Sequence, residues 1–103
     1  MKKLILFTAL LLGLNLSAQN RKVTQLENGT IKVEQYYDNG TMQQVSYYYN
    51  NIGVGTWLKY DEQGNLIAQA KMKNGRPEIL TCYEDGVITI IDRKKRSITK
   101  MKN

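Results

Sequence analysis

The residues able to do chemistry in this chain form a short inventory. Among its 103 residues there is no histidine, one cysteine (Cys82) and nine Asp/Glu. Without imidazole there are no Ser-His or Cys-His nucleophile pairs, no His-based metal site and no histidine acid–base work. Cys82 sits in the strand-like run Leu80-Thr81-Cys82-Tyr83, with no base to activate it, and reads as a small buried hydrophobe rather than a reactive thiol. As the single cysteine it forms no internal bridge, which leaves pairing between chains open. Asp38, Glu62, Glu84 and Asp85 lie beside turn signals and read as hairpin residues, not as the facing carboxylates that glycoside hydrolysis needs. Gly53-Val54-Gly55 resembles the start of a phosphate loop, but such a loop runs from a strand into a helix. Here Trp57 to Tyr60 leads into another strand and another turn, so the glycines are read as loop material or a bulge. Catalytic residues, a metal and a cofactor are therefore not expected.

The elements that must position any remaining site are announced by turns. Glu27-Asn28-Gly29, Asp38-Asn39-Gly40, Asn50-Asn51, Glu62-Gln63-Gly64, Lys73-Asn74-Gly75 and Glu84-Asp85-Gly86 end at 29, 40, 51, 64, 75 and 86, spaced 11, 11, 13, 11 and 11. Asn-Gly and Asp-Gly supply the positive φ that tight hairpins require. Two residues after four of these turns stand Ile31, Met42, Leu66 and Ile88, and apolar residues continue with period two, broken at Gln44. No helical stripe is present after the first residues. The spacing predicts an all-β antiparallel meander of about seven short strands, over 22–27, 30–37, 41–49, 56–61, 65–73, 77–84 and 87–92. Pro77 opens one of them, where its missing N–H does least harm. With few fully apolar positions, the sheet is expected to be a twisted single layer of hairpin repeats, rich in aromatics on at least one side.

Three segments divide the chain. Met1-Lys2-Lys3, the apolar run Leu4 to Leu16 and the small residues Ser17-Ala18 have the layout of a cleaved signal peptide over residues 1–18, and the run is too short for a comfortable membrane span. Residue 19 is Gln rather than Cys, so a lipoprotein is not expected. Residues 19–92 form the repeat domain, with seven Lys/Arg against nine Asp/Glu, a net of −2. Residues 93–103 hold six Lys/Arg and no acid and read as a basic, solvated C-terminal tail. Ile98 and Met101 leave open a final strand there. The expectation is an exported protein (periplasmic, cell-surface or secreted) that does not span the membrane.

At Gly55, Trp57, Tyr60, Gly64 and Leu66, closed by the turn Asn74-Gly75, the chain resembles the MORN-repeat variant family of bacterial β-hairpin repeats. Tyr36, Gly40 and Met42 repeat the latter half of that pattern at a 24-residue offset. The resemblance covers roughly Leu26 to Ile90. It departs at Asn51, where a turn glycine is expected, and between Gly75 and Gly86, which lack the Gly-x-Trp insertion. The resemblance implies a degenerate stack of hairpins used for binding or assembly; relatives are called membrane-recognition modules or antitoxins. Two surfaces are candidates. Tyr36, Tyr47, Tyr49, Trp57 and Tyr60 offer an aromatic face for a protein or glycan of the cell envelope, against mutual packing in a thin sheet. Arg93, Lys94, Lys95 and Arg96 offer a basic patch for an anionic membrane surface. Nucleic acid fits an exported, acidic body less well. The reading is a non-catalytic binding or assembly module, with membrane docking through the basic segment or an antitoxin-like protein-binding role as alternatives.

Overall fold

The computed structural model describes residues 20–102; the expected signal segment lies outside the described residues. Eight strands follow one another in a single antiparallel sheet: β1 (Arg21–Gln25), β2 (Ile31–Tyr36), β3 (Met42–Tyr49), β4 (Ile52–Tyr60), β5 (Leu66–Lys73), β6 (Arg76–Glu84), β7 (Val87–Asp92) and β8 (Ser97–Lys102). Each pairs with its predecessor, and the spatial order is the chain order. The all-β single-layer meander expected from the turn spacing is what forms.

The turns explain the order. Around Gly29, Gly40 and Gly64 the same two bonds recur. In the turn from Tyr37 to Thr41, the Gly40 N–H donates to Tyr37 O at 2.9 Å and the Tyr37 N–H to Thr41 O at 2.8 Å. This is a three-residue hairpin loop whose last residue needs positive φ, here +88° at Gly40. Asn39 Oδ1 accepts from the Thr41 N–H at 2.9 Å, as a short side chain bonded to its own backbone does in such turns. The other three turns have positive φ at two successive residues: Asn50-Asn51, Asn74-Gly75 and, with Asp85, Asp85-Gly86. They are two-residue hairpins matched to strand twist. The 24-residue offset thus carries a three-residue loop onto a three-residue loop (40 to 64) and a two-residue turn onto a two-residue turn (51 to 75). Asn51 fills its glycine-like place at φ +64°, a conformation asparagine tolerates.

Three features differ from the sequence reading. Strand β4 begins at Ile52, not near 56, so Gly53-Val54-Gly55 lies inside a strand. Pro77 is the second residue of β6, beside a register shift between Lys71 and Met72, where a missing N–H costs little. The stretch read as a basic tail gives a turn and then β8, paired to β7 from Asp92↔Ser97 to Val87↔Lys102. The segment carries alternating apolar and polar residues (Ile98, Thr99, Lys100, Met101) that a strand can place on its two faces, and its charges had hidden that pattern.

A single layer buries little. Val33 (1% exposed), Val45, Ala70, Ser46 and Thr30 are the buried side chains, while most strand residues are half-buried. Cross-strand partners share a face. Val33↔Ser46 and Trp57↔Ala70↔Leu80 place one set on the first face. Glu34↔Val45↔Leu58↔Gln69 lie on the second.

Candidate binding surfaces

The aromatic residues singled out in sequence are divided between the two faces. The 13-residue spacing holds two residues more than the others, and strand β4 absorbs them. Val45 pairs with Leu58 but Tyr47 with Val54, so Gly55, Thr56 and Trp57 stand opposite Ser46 alone. Such a bulge bends the strand and interrupts the ladder. Gly55 takes φ +74° there. The Trp57 Nε1–H donates to Tyr47 O at 3.2 Å and to Val54 O at 3.0 Å, satisfying carbonyls at the interruption. The indole lies over Gly53, where a Cβ would come within 2.8 Å of Trp57 Cζ2 and 3.2 Å of Met72 Cε. It also meets the Tyr48 ring, with centroids 5.3 Å apart and planes tilted by 56°, a favourable aromatic arrangement. Burial pushes the Tyr48 hydroxyl pKa up, with Ser46 and Arg21 pulling it back. Trp57 is thus the pin of a bulge, on the face opposite Tyr47 and Tyr49.

Tyr47 and Tyr49 share the second face, as strict alternation along β3 requires. Tyr49, 47% exposed, pairs across the ladder with Ile52, also 47% exposed. Tyr47 packs on Gly55 at 3.5 Å from its would-be Cβ. Tyr60 contributes its backbone: Tyr37 Oη–H donates to Tyr60 O at 2.6 Å, and Asn39 Nδ2–H donates to Glu62 O at 3.1 Å. These bonds tie the turn after β2 to the turn after β4, one repeat unit apart. Asp61 anchors the second turn, its carboxylate accepting from the Gln63 and Asn65 N–H groups at 2.9 and 2.8 Å. Chiefly through its bonds to Asn65, the Asp61 pKa is held below the usual carboxylate range.

Tyr36 lines a cleft of about 450 Å³ at this end of the sheet. Tyr37, Arg21, Asn39, Gln43 and Glu62 also line it. The Tyr36 hydroxyl donates to Glu34 Oε2 at 3.3 Å; desolvation first, then the Glu34 charge, raises its pKa. Sequence reasoning found Tyr36 but missed the polar members of the lining. Asn39 was visible only as a turn residue, and the cleft joins β1, the turn after β2, β3 and the turn after β4, which no local motif marks. The lining brings two tyrosines together with amide, carboxylate and guanidinium groups.

The basic run is also divided. Arg93 and Lys94 line a hollow of about 190 Å³ with Lys73, Asn74, Arg76 and Glu78, at the opposite end of the strands. Arg93 is fixed there: its N–H donates to Glu78 O at 2.9 Å and its Nη1–H to Pro77 O at 3.1 Å. Lys73 Nζ lies 3.8 Å from Glu78 Oε2. Lys95 and Arg96 shape the turn instead, the Lys95 N–H donating to Asp92 Oδ1 at 3.0 Å and Arg96 taking φ +55°. Lys73 and Arg76, scattered in sequence, are the members that sequence reasoning missed.

Cys82 is a half-buried free thiol. Among the described residues no three His, Cys, Asp or Glu cluster closely enough to hold a metal ion, and no helix is long and apolar enough to cross a membrane. No protein family, no curated protein and no solved structure matches the chain.

Proposed function

We propose that this chain is an exported, non-catalytic binding module that holds a glycan of the cell envelope in the cleft at Tyr36 and Tyr37. The observation that carries the reading is the composition of that cleft. Two tyrosines stand among Arg21, Asn39, Gln43 and Glu62 around about 450 Å³. A sugar ring offers C–H groups to an aromatic face and hydroxyls to amides and carboxylates, and tyrosine presents an apolar body with a polar tip. The hydrogen bonds from Tyr37 to Tyr60 and from Asn39 to Glu62 hold part of the wall in place before a ligand arrives, which lowers the cost of binding. The signal-like N-terminus and the resemblance to hairpin-repeat binding modules support an envelope partner. A protein surface of similar polarity is the competing occupant.

Calorimetric titration with soluble oligosaccharide fragments of cell-wall glycan tests this. Saturable binding is expected, weakened about tenfold by Tyr36→Ala, the size of one lost aromatic contact, and unaffected by Tyr49→Ala. Absence of binding by the unaltered protein, or equal binding by Tyr36→Ala, would overturn the assignment.

A second reading, docking on an anionic membrane surface, is favoured by one observation: Lys73 and Arg76 of the β5–β6 turn and Arg93 and Lys94 of the β7–β8 turn converge on one hollow. Charge there attracts anionic headgroups. Co-sedimentation with anionic vesicles, compared for the unaltered protein and Arg76→Glu/Lys94→Glu, decides it; equal partitioning would remove that reading.

A further inference from the structure

We propose that the free edge of β8 is a docking strand for an extended, acidic segment of a partner protein, which adds to the sheet as a ninth strand. Among the described residues, strand β8 is hydrogen-bonded on one side only, to β7, and lies last in the sheet. All six of its residues are exposed. An edge of this kind presents a row of unpaired N–H and C=O groups, and an added strand satisfies them. The side chains state what that strand must carry. Ile98, Lys100 and Lys102 alternate on one face, Ser97, Thr99 and Met101 on the other. Across from Lys100 and Lys102, carboxylates are favourable and cations unfavourable; across from Ile98 and Met101, apolar side chains fit. No acid occurs from Arg93 to Asn103.

A second copy of the chain is the wrong partner. Both edges are cationic: β1 carries Arg21 and Lys22 with no acid, and β8 carries Lys100 and Lys102. Pairing the two edges with each other, or either with its own copy, joins strands that each carry cations and no acid. Lysines alone on an edge would be explained as protection against aggregation. That explanation leaves out Ile98, 68% exposed, and Met101, 45% exposed, which are liabilities on an edge meant only to repel. A lipid surface is also a poor occupant, because hydrocarbon leaves the edge backbone groups unsatisfied.

The test uses end-blocked peptides and the unaltered protein. In antiparallel register Glu-Val-Glu-Thr-Val-Thr sets glutamates against Lys102 and Lys100 and valines against Met101 and Ile98. It is expected to bind and to perturb the amide resonances of 97–102. The same peptide with Gln at both Glu positions should bind more weakly, and with Lys at both about tenfold more weakly than with Glu. In Lys100→Glu/Lys102→Glu the order of the Glu and Lys peptides should reverse. The peptide series on the unaltered protein stands whether or not that variant folds. Equal binding of the three peptides, binding of none, perturbation confined to other strands, self-association of the protein through β8, or association only with vesicles of equal parts zwitterionic and anionic phospholipid would each overturn the proposal.

Discussion

Two pairs of adjacent strands, β3–β4 near the middle of the sheet and β7–β8 at its edge, solve the same problem differently. Between β3 and β4 the ladder is broken by a two-residue excess, and the break is covered: Trp57 bonds two carbonyls, stacks near Tyr48 and lies over Gly53. Between β7 and β8 all six residues of each strand pair without a register shift, yet β8 is exposed throughout. The comparison shows that regular pairing does not by itself make a well-packed region in a single-layer sheet. At the β3–β4 break a large side chain turned back over the backbone covers Gly53, whereas an edge strand has no neighbour on one side to cover it.

Substitutions can break or sharpen this contrast. The largest effect is expected from Trp57→Ala, which removes both the indole contacts and the two hydrogen bonds. A half-buried tryptophan in such a place should cost about 2–3 kcal/mol in urea denaturation followed by far-ultraviolet circular dichroism, somewhat below the range for full burial. Gly53→Ala comes next, at about 1–2 kcal/mol, because the new methyl must displace the Trp57 ring. A neutral result for Gly53→Ala would mean that the ring is not held over the glycine.

Asp61 gives a smaller, pH-dependent effect. Its folded pKa is depressed, so the carboxylate contributes stability above its unfolded pKa of about 4 and loses it as pH falls through the folded value. Asp61→Ala should therefore lower the melting temperature at neutral pH, with the gap to the unaltered protein closing in acid. A gap that persists unchanged at low pH would assign the effect to the turn backbone rather than to the charge. The smallest effect belongs to the plain ladder. Ile98→Thr, at a 68% exposed position with strong strand propensity on both sides of the change, should stay within about 0.5 kcal/mol. A loss comparable to that of Gly53→Ala would erase the distinction between the two strand pairs.

The sequence announced its turns because their chemistry is local: Gly29, Gly40 and Gly75, each after an asparagine, all take positive φ. It hid the last turn because Arg96, not glycine or asparagine, takes the positive φ, with Asp92 capping Lys95. The cations around them looked like a solvated tail. Trp57 was grouped with Tyr47 and Tyr49, although pairing of Tyr47 with Val54 across the Asn50-Asn51 turn puts Trp57 on the other face by alternation alone. The 13-residue spacing recorded the two extra residues but not where the strand would put them. The cleft is harder still to read. Tyr36 was visible, but Arg21, Gln43 and Glu62 meet it only through the meander, which returns alternate turns to the same end of the sheet. The same topology gathers Asp38, Asp61, Glu62, Glu84 and Asp85 in turns at the cleft end, while Lys73, Arg76, Arg93 and Lys94 collect at the other. A charge count along the chain sees an acidic body and a basic end segment; in the folded sheet Lys73 and Arg76 join Arg93 and Lys94 around one hollow, while Arg21 and Lys102 stand at the cleft end.

Residue-resolved nuclear magnetic resonance tests most directly whether the tyrosine cleft is the ligand-holding surface proposed above. Titrating the isotope-labelled protein with soluble cell-wall oligosaccharide should shift the amides of Tyr36, Tyr37, Asn39 and Gln43 together, on one saturation curve, and leave Arg76 and Lys94 unmoved. Shifts confined to Arg76, Arg93 and Lys94, or no saturable shift at Tyr36 and Tyr37, would contradict it.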